Sequence, residues 1–109
     1  MNVDNKAAGL LGFAQKSGNV VSGEQAVEGA VRRGRVQLLL IATDASANTR
    51  KKFSNLASTH GLPVLSLTDM ESMGQWIGKA RRSVIGVTDT RFAASINRAA
   101  VAAERGKST

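Results

Sequence analysis

A three-layer α/β sandwich is predicted by three observations. Short apolar, β-branched runs alternate with stretches of helical periodicity. A helical stretch precedes the first run, so both faces of a sheet can be covered. Glycine-containing turn signals separate most of the elements, and the one proline, Pro63, stands at the entry to an apolar run.

The elements follow in order. From Asp4 to Lys16, Leu10, Leu11 and Ala14 share one helical face with Ala7 behind them, which is the pattern of an amphipathic helix. Ser17-Gly18-Asn19 is a stop-and-turn signal, and Val20-Val21 is a short β-branched pair. Ser22-Gly23 opens a second helix, with Ala26, Val27, Ala30 and Val31 as its core face and Gly34 as its stop. Arg32 and Arg33 in the last turn suit the carbonyl end of the dipole. Residues 36–42 (Val-Gln-Leu-Leu-Leu-Ile-Ala) read as a strand covered on both faces.

Ser46 or Asn48 can cap a third helix that packs through Phe53, Leu56 and Ala57 and stops at Gly61. His60 beside that glycine can serve the last carbonyls. Residues 63–67 (Pro-Val-Leu-Ser-Leu) form a third strand, with Pro63 in the one position a strand readily tolerates. Thr68 with Glu71 three residues on is a capping box for a short fourth helix. Val84-Ile85-Gly86-Val87 is the last strand, and a final helix from about Asp89 to Glu104 buries Phe92, Ile96, Ala99, Ala100 and Ala103. Residues 1–105 thus make one domain, and 106–109 a flexible tail.

Composition narrows the chemistry. The 109 residues include 15 Lys plus Arg against 8 Asp plus Glu, a formal net charge of +7, with 42% hydrophobic and 21% charged residues. A packed core is expected, and the charge excess points to an anionic partner, nucleic acid first. The chain has no Cys and one His, which excludes disulfides, thiolate metal sites, cysteine nucleophiles and any two-His centre. The longest apolar stretches, residues 7–14 and 38–42, are far short of the roughly 20 residues a membrane span needs. Asp4, Lys6 and Gln15-Lys16 do not fit a signal peptide. No membrane association is expected, and a reducing cytoplasm suits the composition.

Three apolar runs end in Thr-Asp: Thr43-Asp44, Thr68-Asp69 and Thr88-Asp89. A Mg²⁺ enzyme could gather three such carboxylates beyond strand ends. Helix capping by each Thr or Asp accounts for all three with one ordinary mechanism and is the reading adopted. No metal, cofactor or catalytic residue is therefore expected.

Nine of the fifteen cations lie in three groups: Arg32-Arg33-Arg35, Arg50-Lys51-Lys52 and Lys79-Arg81-Arg82. Lys51 and Lys52, and the stripe of Arg91, Arg98 and Arg105, read as solvated faces. Arg32 can pair with Glu28 one turn earlier. Two other places are more informative. Gln25, Gly29, Arg32 and Arg33 share a stripe of the second helix, where Gly29 marks either a close approach or tight packing on the sheet. Backbone amides near Ser22-Gly23 make a phosphate cradle, although Glu24 sets a negative charge beside them. Residues 73–82 combine two glycines, the only Trp and three cations. They suit unstacked bases and phosphates, or else Trp76 and Ile77 close the core while the cations stay in water.

The run from Ser17 to Glu24, followed by residues 38–49 with Thr43-Asp44-Ala45-Ser46-Ala47-Asn48-Thr49, resembles the L-seven-Ae and L-thirty-e ribosomal protein superfamily, in particular its bacterial YlxQ-like branch. The resemblance extends from about residue 9 to residue 94. It implies a four-stranded mixed sheet between helices, no catalysis, and binding of structured RNA such as kink-turns; the function expected is that of an RNA-binding protein that is ribosome-associated or acts on structured RNA. It also implies RNA contacts from the start and exposed face of the second helix and from the loop before the last strand. Kink-turn binders carry Gly-Thr-Asn-Glu-x-x-Lys on that helix. Here Gly23 is kept, while Glu24, Gln25, Ala26 and Gly29 stand at the Thr, Asn, Glu and Lys positions. Only Gln25 keeps comparable hydrogen-bonding chemistry, so the resemblance implies RNA binding without the usual sheared G·A read-out.

The expected RNA-facing set is Lys16, Ser22, Gly23, Gln25, Arg33, Gly78, Lys79, Arg81 and Arg82. Gln25 is assigned to base or sugar edges, Ser22 and Gly23 to backbone positioning, and the cations to phosphates. The alternative is a module that docks through Trp76 on a protein of the translation or transcription machinery.

Overall fold

Helices and strands alternate in the computed structural model, which describes residues 4–107: α1 (Asp4–Lys16), β1 (Val20–Ser22), α2 (Glu24–Arg32), β2 (Leu38–Ile41), α3 (Ala47–His60), β3 (Val64–Leu65), α4 (Met70–Trp76), β4 (Val84–Val87) and α5 (Thr90–Lys107). The sheet order is β1-β4-β2-β3. β4 is antiparallel to both β1 and β2, with Val20 opposite Val87 and Leu38 opposite Val87. β2 and β3 run parallel, Leu39 opposite Val64. The expected α/β class and mixed four-stranded sheet are therefore present. α2 packs with α3 and β4, while α1 packs with α5 and α4.

The two central strands explain the continuous apolar runs. Every residue of β2 and β4 is buried, because helices cover both of their faces. Phe53, Leu11, Met73, Ile85 and Ile96 are the large side chains that fill the space between layers. Ser46 caps α3, its hydroxyl accepting from the Thr49 amide at 3.1 Å. Gly61 ends α3 with φ 65°. The predicted cores of α1, α3 and α5 stand, with Ala93 added to the last and Phe92 only partly buried.

Four expectations need correction. Ala26 is exposed, since α2 turns only Val27, Ala30 and Val31 to the sheet. The third strand is two residues long rather than five, and Val64 is exposed. It lies at the sheet edge with one neighbour, so only the part beside β2 is held by a ladder. The α4 cap is Asp69, which accepts from the Ser72 amide at 2.8 Å; the Thr68 carbonyl instead accepts from the Thr43 amide. Finally, α5 runs to Lys107, so residues 106 and 107 continue the helix, while 108 and 109 lie outside the described residues. Among those residues, no helix is long and apolar enough to cross a membrane.

Candidate nucleic-acid interface

Strand directions decide which loops meet. β2 leaves the sheet where β4 enters it, since Ile41 pairs with Val84, and β1 ends at the same place, Ser22 opposite Ile85. The exits of β1, β2 and β3 and the loop formed by residues 77–83 therefore share one end of the sheet. β4 points the other way, so Asp89 lies at the far end, about 13 Å off for a four-residue strand. The three Thr-Asp carboxylates do not converge into a metal centre.

Each of those carboxylates has work as a cap. Asp69 caps α4, and Asp89 accepts from the Phe92 amide at 2.9 Å at the start of α5. Asp44 departs from expectation. It leaves α3 to Ser46 and reaches across to the Met70 amide at 2.9 Å, 26 residues away. Nothing in the local sequence signals that pairing.

The start of α2 is built around Gly23. Its backbone sits at φ 91°, ψ 149°, a region open essentially to glycine alone, and its amide donates to the Val84 carbonyl at 3.1 Å. No side chain caps α2, so its first-turn amides keep their donors available to an anion. The negative charge of Glu24 is turned aside. Its carboxylate accepts from the Thr49 hydroxyl at 3.2 Å and the Ser83 hydroxyl at 3.5 Å, tying α2 to α3 and to the loop before β4. Thr49 is buried for this purpose. The partners lie 25 and 59 residues apart in sequence, so neither was legible beforehand.

Residues 77–83 return from α4 to β4 over a glycine. A Cβ on Gly74 would stand 2.6 Å from the Ala80 carbonyl carbon and 3.0 Å from the Arg81 nitrogen. Only a residue without a side chain lets this loop lie against α4. Gly78 turns the chain at φ 70°. Arg82, expected on phosphate, is half-buried and is a brace: its Nε donates to Ser22 Oγ at 3.1 Å, and one terminal nitrogen donates to the Ala80 and Arg81 carbonyls. Ser22 and Arg82 thus hold the loop to β1. Lys79 and Arg81 on the same loop, and Gln25 in the first turn of α2, are exposed.

Two of the predicted residues stand elsewhere. Lys16 ends α1, ahead of the turn that leads into β1, and so belongs to the opposite end of the sheet. Arg33 follows α2, eight residues past Gln25, or about 12 Å along the helix axis. Trp76 is partly buried and packs against the core with Ile77. It closes the core, as the more ordinary of the two readings had it.

The remaining cations divide in the same way. Glu28 pairs with Arg32 at 2.9 Å and with Lys52 at 2.8 Å, so these two are spent within the chain. Arg91 and Arg98 are exposed, and the side chain of Arg105 lies outside the described residues. Hydrogen bonds from Lys52 and then Arg32 hold the Glu28 carboxyl below its ordinary value of 4.5. Because the folded form holds this proton less tightly, the contribution to stability is present above pH 4.5 and is lost as pH falls through the lowered folded value. Thermal melts should accordingly show Glu28→Gln less stable than the parent at pH 6, with the gap closing as the pH falls below 4.5.

Comparison with known proteins places this architecture. A model of the ribosomal protein L7Ae/L30e/S12e/Gadd45 family matches residues 5–97. The chain belongs to that family. It is 39% identical over 84 residues to the RNA-binding protein YlxQ of Bacillus subtilis (strain 168), covering 77% of this chain and 84% of that one. It is 35% identical over 95 residues to the RNA-binding protein YlxQ of Enterococcus faecium, covering 85% and 91%. A solved structure described as a protein with unknown function from Bacillus halodurans C superimposes with a TM-score of 0.83 at 33% identity, covering 86% of this chain and 95% of that one. The Giardia lamblia 15.5kD RNA binding protein shares the fold, with a TM-score of 0.78 at 14% identity over 94% and 88% of the two chains. In this member of the family, the start of α2 and the loop before β4 are adjacent: Arg82 is bonded to Ser22, and the Gly23 amide to the Val84 carbonyl.

Proposed function

We propose that the protein is a non-enzymatic RNA-binding protein of the cytoplasm, associated with the ribosome or acting on structured, kink-turn-like RNA. The observation that carries this reading is the juxtaposition, at one end of the sheet, of uncapped α2 amides with the exposed cations of residues 78–81. Amides at a helix start and Lys79 and Arg81 take phosphates, while Gln25 offers donors and an acceptor to base or sugar edges. Gly78 and the surrounding backbone let unpaired nucleotides approach. The curated relatives named for RNA binding support the same partner.

With Glu24, Ala26 and Gly29 on α2, little on that helix reads guanine edges. The affinity should come mostly from phosphates and depend strongly on salt. Titration of a fluorescent kink-turn RNA and of a plain RNA duplex at several salt concentrations tests this. Binding of both, with steep salt dependence and only a modest preference for the kink-turn, is expected. No binding of either RNA at low salt would overturn the proposal and favour docking on a protein instead.

A further inference from the structure

The end of the sheet opposite the α2 interface carries a second set of groups. β1 begins there and β4 leaves it, and the Thr88 amide donates to the Asn19 carbonyl at 2.9 Å. Between this turn, α1 and the start of α5 lies an open cleft of about 350 Å³, at the small end of the range that holds a ligand. Leu10 and the partly buried Phe92 give the cleft an apolar wall, while Asn19, Arg91 and Ser95 line it with polar groups. The Asn19 backbone is engaged on both sides, its amide donating to the Ala14 carbonyl at 2.8 Å. Neither the Asn19 carboxamide nor the Arg91 guanidinium makes a hydrogen bond or ion pair among the described residues.

Aromatic and basic groups gather at this cleft. Of the three phenylalanines, Phe53 alone is fully buried. Phe92 lines the cleft, and Phe13 is 65% exposed on α1, three residues past Leu10 and four before Ser17, both of which line the cleft. Residues at those spacings are neighbours on a helix surface, so Phe13 stands at the rim. Arg98 donates to Ser95 Oγ at 3.2 Å and is thereby drawn toward the same cleft. The acid that lines it, Asp89, is held as the α5 cap, where the helix dipole favours a negative charge. An aromatic wall, an aromatic rim and two cations match the needs of an unpaired strand, whose bases stack on rings and whose phosphates meet positive charge.

We propose that this end of the protein is a second RNA surface, which takes a single strand. One base lies against Phe92 in the cleft with its edge at Asn19, the next stacks on Phe13, and Arg91 and Arg98 take phosphates. This rests on the RNA-binding reading above and adds to it a surface remote from α2. Because the two surfaces lie at opposite ends of the sheet, one chain holds a folded RNA at the first and an unpaired strand at the second.

The test titrates a short fluorescent oligocytidine into protein saturated with unlabelled kink-turn RNA, which occupies the α2 interface. The single strand should bind without displacing the kink-turn RNA, so that sedimentation shows a ternary complex. Phe13→Ala combined with Arg91→Ala should weaken the single strand about tenfold or more, as loss of a stacked base implies. Its salt slope should fall by about 0.7, the share of one phosphate on a single strand. Kink-turn affinity and melting temperature should stay with the parent, both side chains being exposed. Lys79→Ala with Arg81→Ala should do the reverse, weakening the kink-turn RNA and sparing the single strand. Failure of the single strand to bind the complex, displacement of one RNA by the other, or parental single-strand affinity in the Phe13→Ala, Arg91→Ala variant overturns the second surface and leaves the α2 reading intact. A parent protein that binds neither RNA at low salt overturns the broader reading, a result separable from the others.

Discussion

Replacing Gly74 by alanine should destabilise the protein by about 1–3 kcal/mol or more, the range of an overpacked site. For a domain of this size, each kcal/mol lowers the melting temperature by roughly 4–8 °C. The added Cβ would overlap the Ala80 carbonyl group. That atom belongs to backbone on a loop anchored at both ends, so it cannot rotate away as a side chain would. The Arg82 amide is bonded to the Met70 carbonyl and the Lys79 amide to the Gly74 carbonyl. Relief therefore requires lifting residues 79–82 off α4, which breaks these bonds and withdraws Lys79 and Arg81 from the start of α2. Calorimetry should show the lower melting temperature, and RNA affinity measured well below it should fall as well. A variant that melts with the parent would mean that the loop is not packed on α4 as described.

Changing Lys79 and Arg81 together to alanine should weaken RNA binding roughly ten- to hundredfold near physiological salt. The slope of log affinity against log salt should drop by about two, one for each phosphate contact removed. Both side chains are exposed and make no hydrogen bond within the chain among the described residues, so the melting temperature should stay near that of the parent. Arg82→Ala should behave differently. It removes the brace to Ser22 and to two loop carbonyls, and so should lower thermal stability and affinity together. Parallel melts and salt titrations of the two variants separate a contact from a support. Unchanged affinity in the Lys79→Ala, Arg81→Ala variant would remove the loop from the interface.

Much of the fold was legible because local rules and tertiary packing agree. The runs that became β2 and β4 are buried on both faces, and such strands advertise themselves as unbroken apolar segments. Ser46 and Gly61 bracket α3 with ordinary capping chemistry. Legibility failed where a position is governed from far away. Pro63-Val64-Leu65-Ser66-Leu67 has strand-like composition, but its single neighbour supports only two residues of ladder. Ala26 is apolar on the open side of α2, where its small side chain costs nothing. Asp69 rather than Thr68 took the α4 cap because the Thr68 backbone is engaged by Thr43.

The candidate site divides along the same line. The residue types were visible: an unusual glycine in α2, exposed cations, and a glycine-rich approach to the last strand. Their relations were not. Arg82 looked equivalent to Arg81, and only burial against Ser22 makes it a brace. Glu24 looked like a charge opposing phosphate, until Thr49 and Ser83 turned it aside. Lys16 looked like one more cation of the set, but the direction of β1 puts it at the other end of the sheet.

By itself the sequence determined the α/β class, the order of the elements, the apolar strands at the centre and the positive excess that calls for an anionic partner. These follow from periodicity, capping and composition, which act over a few residues or over the chain as a whole. Only the tertiary structure decided which cations face one another, which carboxylates are spent as caps, and that Gly74 makes room for the loop before β4. The reason is physical: strand order and direction bring together residues 60 or more positions apart, as Arg82 and Ser22 are, and no local pattern encodes so distant a neighbour.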